Sequence, residues 1–355
     1  MEHSITSDWR QNSNSPDIPL ASRDARGFLR LLVCAALWIL PASGPAAPAG
    51  LQTDVVFSEV STLSSIGEVV RRTYSPLTAL RINQEAQRTG HSLRGQPIDP
   101  AREHYSVYVP DHPQALLVFI PPWPRAEVPR QWIPALNRYN TILVTAANSG
   151  NEAPTTDRRE PLALLAVHNI VAQYPVDPQQ VYVGGFSGGA RIALRLALGY
   201  PDIFQGALLN AGSDIIGNAD VPLPPTDLFR RFQESSRLVY LTGERDEENL
   251  ARDIHSRQSL EKWCVYDVIT LTEPRTEHEL ASATDFKRSL QALLGQRHNN
   301  PGKLEDCRTR VEQELRAQLE QVESAKQLLS LDAQYGGLAA PRSLELAARY
   351  LTPRN

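Results

Sequence analysis

Cysteine is scarce in this 355-residue chain: there are three, Cys34, Cys264 and Cys307, with no CxxC and no Cys/His spacing around them. That excludes a disulfide-stapled miniprotein and a cysteine-based metal cluster. Neither sign of charge dominates, because 36 basic residues face 40 acidic ones for a net charge of −4. The composition therefore points to neither nucleic acid nor an anionic membrane surface as a partner. Lysine is nearly missing, with Lys262, Lys287, Lys303 and Lys326 the only four among the 36 basic residues. The Arg bias reads as the mark of a GC-rich bacterial genome. No apolar run approaches the roughly 20 residues of a membrane-spanning helix, and no segment repeats at a fixed period.

The first 25 residues are polar, rich in Ser, Asn and Asp, and have no apolar period, the composition of a disordered segment. Arg26 and Arg30 then introduce Leu31–Leu40, ten apolar residues closed by Pro41, with small residues at Ala47-Pro48-Ala49. A positive, then apolar, then small-residue order is that of a secretory leader, expected over 26–49. It predicts a secreted or periplasmic bacterial protein, without stable membrane insertion after cleavage; an uncleaved, membrane-tethered form is the rival. Cys34 belongs to the leader, so Cys264 and Cys307 are the only cysteines of the mature chain. Export predicts that they pair in a disulfide, with two buried thiols as the alternative.

Beyond a mixed stretch, with a strand expected at 54–60 and helices at 66–72 and 77–87, a regular alternation begins. Strands are expected at 105–109, 115–120, 141–146, 180–184, 204–210, 237–242 and 265–271, several of them short unbroken apolar runs. Helical spacing occupies 161–174, 189–198, 247–263 and 284–294. Strands alternating with helices imply an α/β fold, a mostly parallel sheet flanked by helices, assigned here to residues 50–297. In such sheets ligands bind beyond the carboxyl ends of the strands. Residues 298–355 form a C-terminal helical hairpin extension: Leu304, Val311, Leu315, Leu319, Val322 and Leu329 mark one stripe of a long helix. Gly336-Gly337 breaks it before a second helix at 343–351.

Gly185-Phe186-Ser187-Gly188-Gly189 stands where a strand turns into a helix. A turn that sharp requires glycine or very small neighbours, and it projects the serine hydroxyl above the sheet, over helix N–H groups able to hold an oxyanion. A phosphate-cradling loop fits less well, since no Lys follows and no G-x-G-x-x-G is present. A nucleophilic serine needs a base oriented by an acid, and on this topology the order is Ser, acid, His. Asp246 follows the second strand after the elbow and His278 the third, both at carboxyl edges. Glu244, Glu247, Glu248 and Asp253 compete for the acid's role; His168 and His255 lie inside helices and are worse placed. For the oxyanion hole, Gly188 offers one N–H. The first buried strand ends in Ile120-Pro121-Pro122-Trp123; proline has no N–H, so Trp123 is the first donor of that loop.

From Tyr105 to Leu294 the sequence resembles the polyhydroxybutyrate depolymerase-like serine esterases of the α/β-hydrolase superfamily. The likeness rests on VYVGGFSGGARIALRLALGYPDIFQGALLNAG around the elbow, on LTGERD and on EHEL. It implies an α/β-hydrolase fold with Ser187, Asp246 and His278 as nucleophile, acid and base. It also implies a small-molecule or polymeric ester as substrate, including hydroxyacid-type esters, and no cofactor or metal. A serine peptidase on the same scaffold, or a catalytically degenerate binding protein favoured by Pro121-Pro122, remain the alternatives.

Overall fold

The computed structural model describes residues 48–90, 98–297 and 300–351. The polar segment expected at 1–25 lies outside them, as does the expected leader apart from Pro48 and Ala49.

An eight-stranded sheet forms the centre, built from β1 (Gly50–Val56), β2 (His104–Val109), β3 (Ala115–Ile120), β4 (Thr141–Ala146), β5 (Val181–Phe186), β6 (Gly206–Asn210), β7 (Arg237–Gly243) and β8 (Val268–Glu273). Their order across the sheet is β1-β2-β4-β3-β5-β6-β7-β8. Only the β1–β2 and β2–β4 pairs are antiparallel; from β4 to β8 every pair is parallel. Among the described residues, eleven α-helices accompany the strands: α1 (Ile66–Thr73), α2 (Pro76–Thr89), α3 (Ile133–Arg138), α4 (Glu160–Gln173), α5 (Gly188–Gly199), α6 (Thr226–Ser235), α7 (Glu247–Lys262), α8 (Ala283–Leu294), α9 (Pro301–Glu320), α10 (Ala325–Tyr335) and α11 (Arg342–Tyr350). The mostly parallel sheet with flanking helices is that of an α/β-hydrolase.

Strand alternation sorts the core into two layers. Leu116, Val118, Ile142, Val144, Val181, Val183, Leu238 and Tyr240 face one layer, with α4 and α5 over them. Leu117, Phe119, Leu143, Tyr182, Val239 and Leu241 face the other, where α3 and α8 pack with Trp132 stacked on Phe286 at 4.0 Å. Strands buried on both faces explain the unbroken apolar runs.

The structure departs from the sequence expectation at several places, helix α3 among the elements not expected. The first strand ends at Val56, not at residue 60, because Asn169 Oδ1 accepts from the Ser58 and Glu59 N–H groups at 2.9 and 3.0 Å, taking them out of the ladder. The last begins at Val268, not 265: Cys264 adopts a positive φ of 64° and Val265 N–H still closes α7 onto Leu260 O. Helix α6 was not anticipated, although two parallel strands demand a crossover between them, and Leu228, Phe229 and Phe232 bury its inner face. The expected long terminal helix is two, α9 and α10. Ser324 caps the second by accepting from Gln327 N–H, and Gln327 Oε1 accepts in return from Glu323 N–H at 2.9 Å, one residue before the cap. The interruption shifts the helical phase, so Leu328 is buried and the expected Leu329 is half exposed.

The terminal helices dock into the first core layer through Val311, Leu315, Leu328, Leu331 and Leu346. A disulfide joins Cys307 of α9 to Cys264 at the end of α7, closing a loop with a sequence separation of 43. In the chain-entropy model such a loop is worth about 4 kcal/mol. Thiol titration of the denatured, unreduced mature chain is expected to find no free thiol, and reduction is expected to lower the denaturation midpoint. Two free thiols per chain would overturn the pairing.

Candidate active site

The elbow is built by close approach. A Cβ on Gly185 would drive into the Gly189 backbone, and one on Gly189 into the Ile120 carbonyl. Ser187 sits at the apex with φ 55° and ψ −122°, a conformation a non-glycine residue adopts only when its surroundings impose it. Its N–H is anchored on Asn210 O at 2.9 Å, while its side chain plays no part in capping α5. The hydroxyl is thereby left free above a twelve-residue helix whose N-terminal N–H groups and dipole favour negative charge.

Three expected residues meet there. Ser187 Oγ lies 2.9 Å from His278 Nε2, and His278 Nδ1 lies 2.7 Å from Asp246 Oδ2. Asp246 is buried, and burial pushes its carboxyl upward. Hydrogen bonds from His278 and Asn249 outweigh that and hold it below the usual carboxylate range. An ionised carboxylate only accepts, so the Nδ1 proton points at it and Nε2 is left to accept from the serine.

Several participants were not visible in the sequence. Asn249 Nδ2 donates to both Asp246 oxygens at 2.9 Å. The Phe186 ring stacks on the His278 imidazole with centroids 5.0 Å apart. Asn210 ties together the segments that carry all three residues. Its O holds Ser187 N–H, its Nδ2 donates to Leu241 O of β7 at 3.1 Å, and its Oδ1 accepts from Ala281 N–H at 2.9 Å, just beyond His278. The last residue of β6, the strand beside β5, gives no local signal of that role.

The competing acids stand elsewhere. Asp253 is buried and accepts from Ser213 and Thr242 hydroxyls, each at 2.6 Å; burial raises its carboxyl. Glu244, Glu247 and Glu248 are exposed. His168 is 3.4 Å from Glu59, and His255 lies on a cavity wall, neither in the Ser187–His278–Asp246 line. Of the two expected oxyanion donors, Gly188 is the first residue of α5. Trp123 lies in the loop after β3, its ring 6.4 Å from Phe186. That loop is held by its carbonyls: Asn148 N–H donates to Pro124 O at 2.7 Å and Asn151 N–H to Pro122 O at 2.9 Å. Among the described residues no group of His, Cys, Asp or Glu is arranged to hold a metal ion.

Beside Ser187 and Gly188 opens a cavity of about 940 Å³, walled by the first turns of α5, the 155–159 turn, the 213–221 loop and α7.

Residues 147–248 match the family model of the esterase PHB depolymerases. The match covers the elbow-bearing part of the chain, under a third of its length. The matched stretch contains the elbow and Asp246 and ends before His278. No curated protein matches the sequence. Solved structures similar to it include the S-formylglutathione hydrolase of Staphylococcus aureus, 11% identical, covering 55% of this chain and 94% of that one with a TM-score of 0.44. A ferulic acid esterase is 16% identical over 54% of this chain and 90% of its own, with a TM-score of 0.40. A structure assigned as a dipeptidyl aminopeptidase IV from Bacteroides ovatus is 16% identical, with a TM-score of 0.41; 54% of this chain spans 34% of that one. The chain thus spans about a third of the peptidase's length and most of the length of the other two.

Proposed function

We propose that this esterase-type hydrolase is an exported carboxylic ester hydrolase in which Ser187 is the nucleophile, His278 the base and Asp246 the orienting acid. The observation that carries this reading is the unbroken hydrogen-bonded line from Ser187 Oγ through His278 to Asp246, at 2.9 and 2.7 Å. His278 Nε2 takes the hydroxyl proton as Oγ bonds to the ester carbonyl carbon, and the carbonyl oxygen becomes an oxyanion facing the N–H groups of Gly188 and Trp123. His278 then passes the proton to the departing alkoxide, leaving an acyl-enzyme. A water molecule, deprotonated by the same imidazole, hydrolyses it and restores the serine. The family match suggests hydroxyacid-type esters, small or polymeric.

Export is supported by the Arg-flanked apolar segment 26–49 and by the Cys264–Cys307 disulfide, a bond that persists in oxidising compartments. The second reading, a binding protein on a degenerate scaffold, draws on Pro121-Pro122, which leave the oxyanion loop with Trp123 as its first donor. A fluorophosphonate probe separates the two. Stoichiometric labelling of Ser187 in the mature protein is expected, and an unlabelled, inert Ser187 would end the hydrolase reading.

A further inference from the structure

The cavity beside Ser187 is unusually rich in cations: Arg159, Arg191, Arg195 and Arg252 line it, against Asp214 and Asp220. Two of these arginines are matched. Arg195 pairs with the buried Glu160 at 2.7 Å, and Arg252 with Glu248 on its own helix at 2.8 Å. The other two have no carboxylate within hydrogen-bond range. Arg159 is 5% exposed, and its guanidinium meets only carbonyls, Ser149 O at 2.8 Å and Pro121 O at 3.4 Å. Arg191, whose side chain is 35% exposed, is ion-paired with Asp214 only at 3.8 Å, beyond hydrogen-bond range, and its Nε atom is buried without a hydrogen-bond partner.

A buried guanidinium with no carboxylate in hydrogen-bond range, as at Arg159, is costly to maintain. Burial drives Arg159 down to about 10, and the charge of the neighbouring Glu160 offsets that only in part. Burial likewise pushes the Asp214 carboxyl upward, against the charges of Arg191 and Arg195. The cost is one that a bound anion removes, and planar guanidinium forks recognise carboxylates with paired hydrogen bonds. Both arginines reach the wall that also holds Ser187 and Gly188, so an anion docked on them belongs to a molecule whose other end is at the nucleophile. The cavity has room for more than a short neutral acyl chain.

We propose that Arg159 and Arg191 form a carboxylate-binding subsite, and that the enzyme selects esters carrying a carboxylate remote from the scissile bond. The proposal rests on the reading of Ser187 as nucleophile.

Matched ester pairs test it. On the acyl side, the mono-p-nitrophenyl ester of adipic acid is compared with p-nitrophenyl hexanoate; on the alcohol side, 4-carboxyphenyl butyrate with 4-carbamoylphenyl butyrate. One anionic member is expected to exceed its neutral partner in kcat/KM by about tenfold or more, the worth of a charge-assisted hydrogen bond. The arm in which the preference appears tells which half of the ester enters the cavity. Arg191→Gln should collapse the anionic-to-neutral ratio, and Arg191→Lys should restore part of it. Neutral esters equal or preferred in both arms, or a ratio untouched by Arg191→Gln, would overturn the subsite while leaving the hydrolase intact. Failure of all four esters together with an unlabelled Ser187 would instead sink the hydrolase reading, and the subsite with it.

Discussion

Ser187→Ala is expected to lower the hydrolysis of short-chain p-nitrophenyl esters by about a millionfold, the loss seen when the nucleophile is removed from a serine constellation. The size of the effect follows from what remains. His278 and Asp246 would keep their 2.7 Å contact, yet with no oxygen at the apex of the elbow they have no proton to take. Folding should hardly change. The Ser187 side chain makes no capping bond to α5, and its backbone anchor, N–H to Asn210 O, is independent of the side chain. The positive φ of 55° is borne by Ser and Ala alike. Thermal melts of the two proteins should therefore superimpose while their progress curves diverge. Activity that survives unchanged in Ser187→Ala, however weak, would make the serine a relic.

The parts of this site legible in the sequence are those with a local signature. Glycines at 185 and 189 announce the elbow because backbone meets backbone there, and an acid and a histidine at two later strand ends follow from topology alone. Contacts made across the fold leave no such trace. Asn249 looks like an ordinary residue in the first turn of a charged helix, and only folding sets its amide against Asp246. Arg159 and Arg191 are 32 positions apart in a chain where arginine is the common base, and the shared cavity appears only when α5 packs beside the 155–159 turn. The same division holds for the fold. Buried parallel strands were readable as apolar runs, whereas α6 and the break between α9 and α10 depend on a crossover requirement and a serine cap within polar sequence.

Asp246 is expected to be the acid that no neighbour replaces, and Asp246→Asn should lower turnover by about ten-thousandfold. The amide removes the charge facing the imidazolium, and its NH₂ can donate to Nδ1, favouring the tautomer whose Nε2 carries the proton and cannot accept from Ser187. Folding should survive, because Asp246 also caps α7, accepting from Asn249 N–H, and Asn serves as well in that position. The ionised carboxylate still contributes stability of its own. Its folded-state titration lies below the unfolded one, so the contribution is present above the unfolded value and is lost as pH falls through the folded value. The stability gap between wild type and Asp246→Asn should accordingly be widest near neutral pH and close in acid. Asp253→Asn provides the comparison. Its carboxyl is buried between two hydroxyls and raised by that burial, and an amide oxygen can go on accepting from at least one of them, so a loss of activity well under that of Asp246→Asn is expected. Measured kcat/KM values for the two variants decide the matter: if Asp253→Asn is the more damaging, the acid has been misassigned and the hydrogen bond from His278 to Asp246 is not the one catalysis uses.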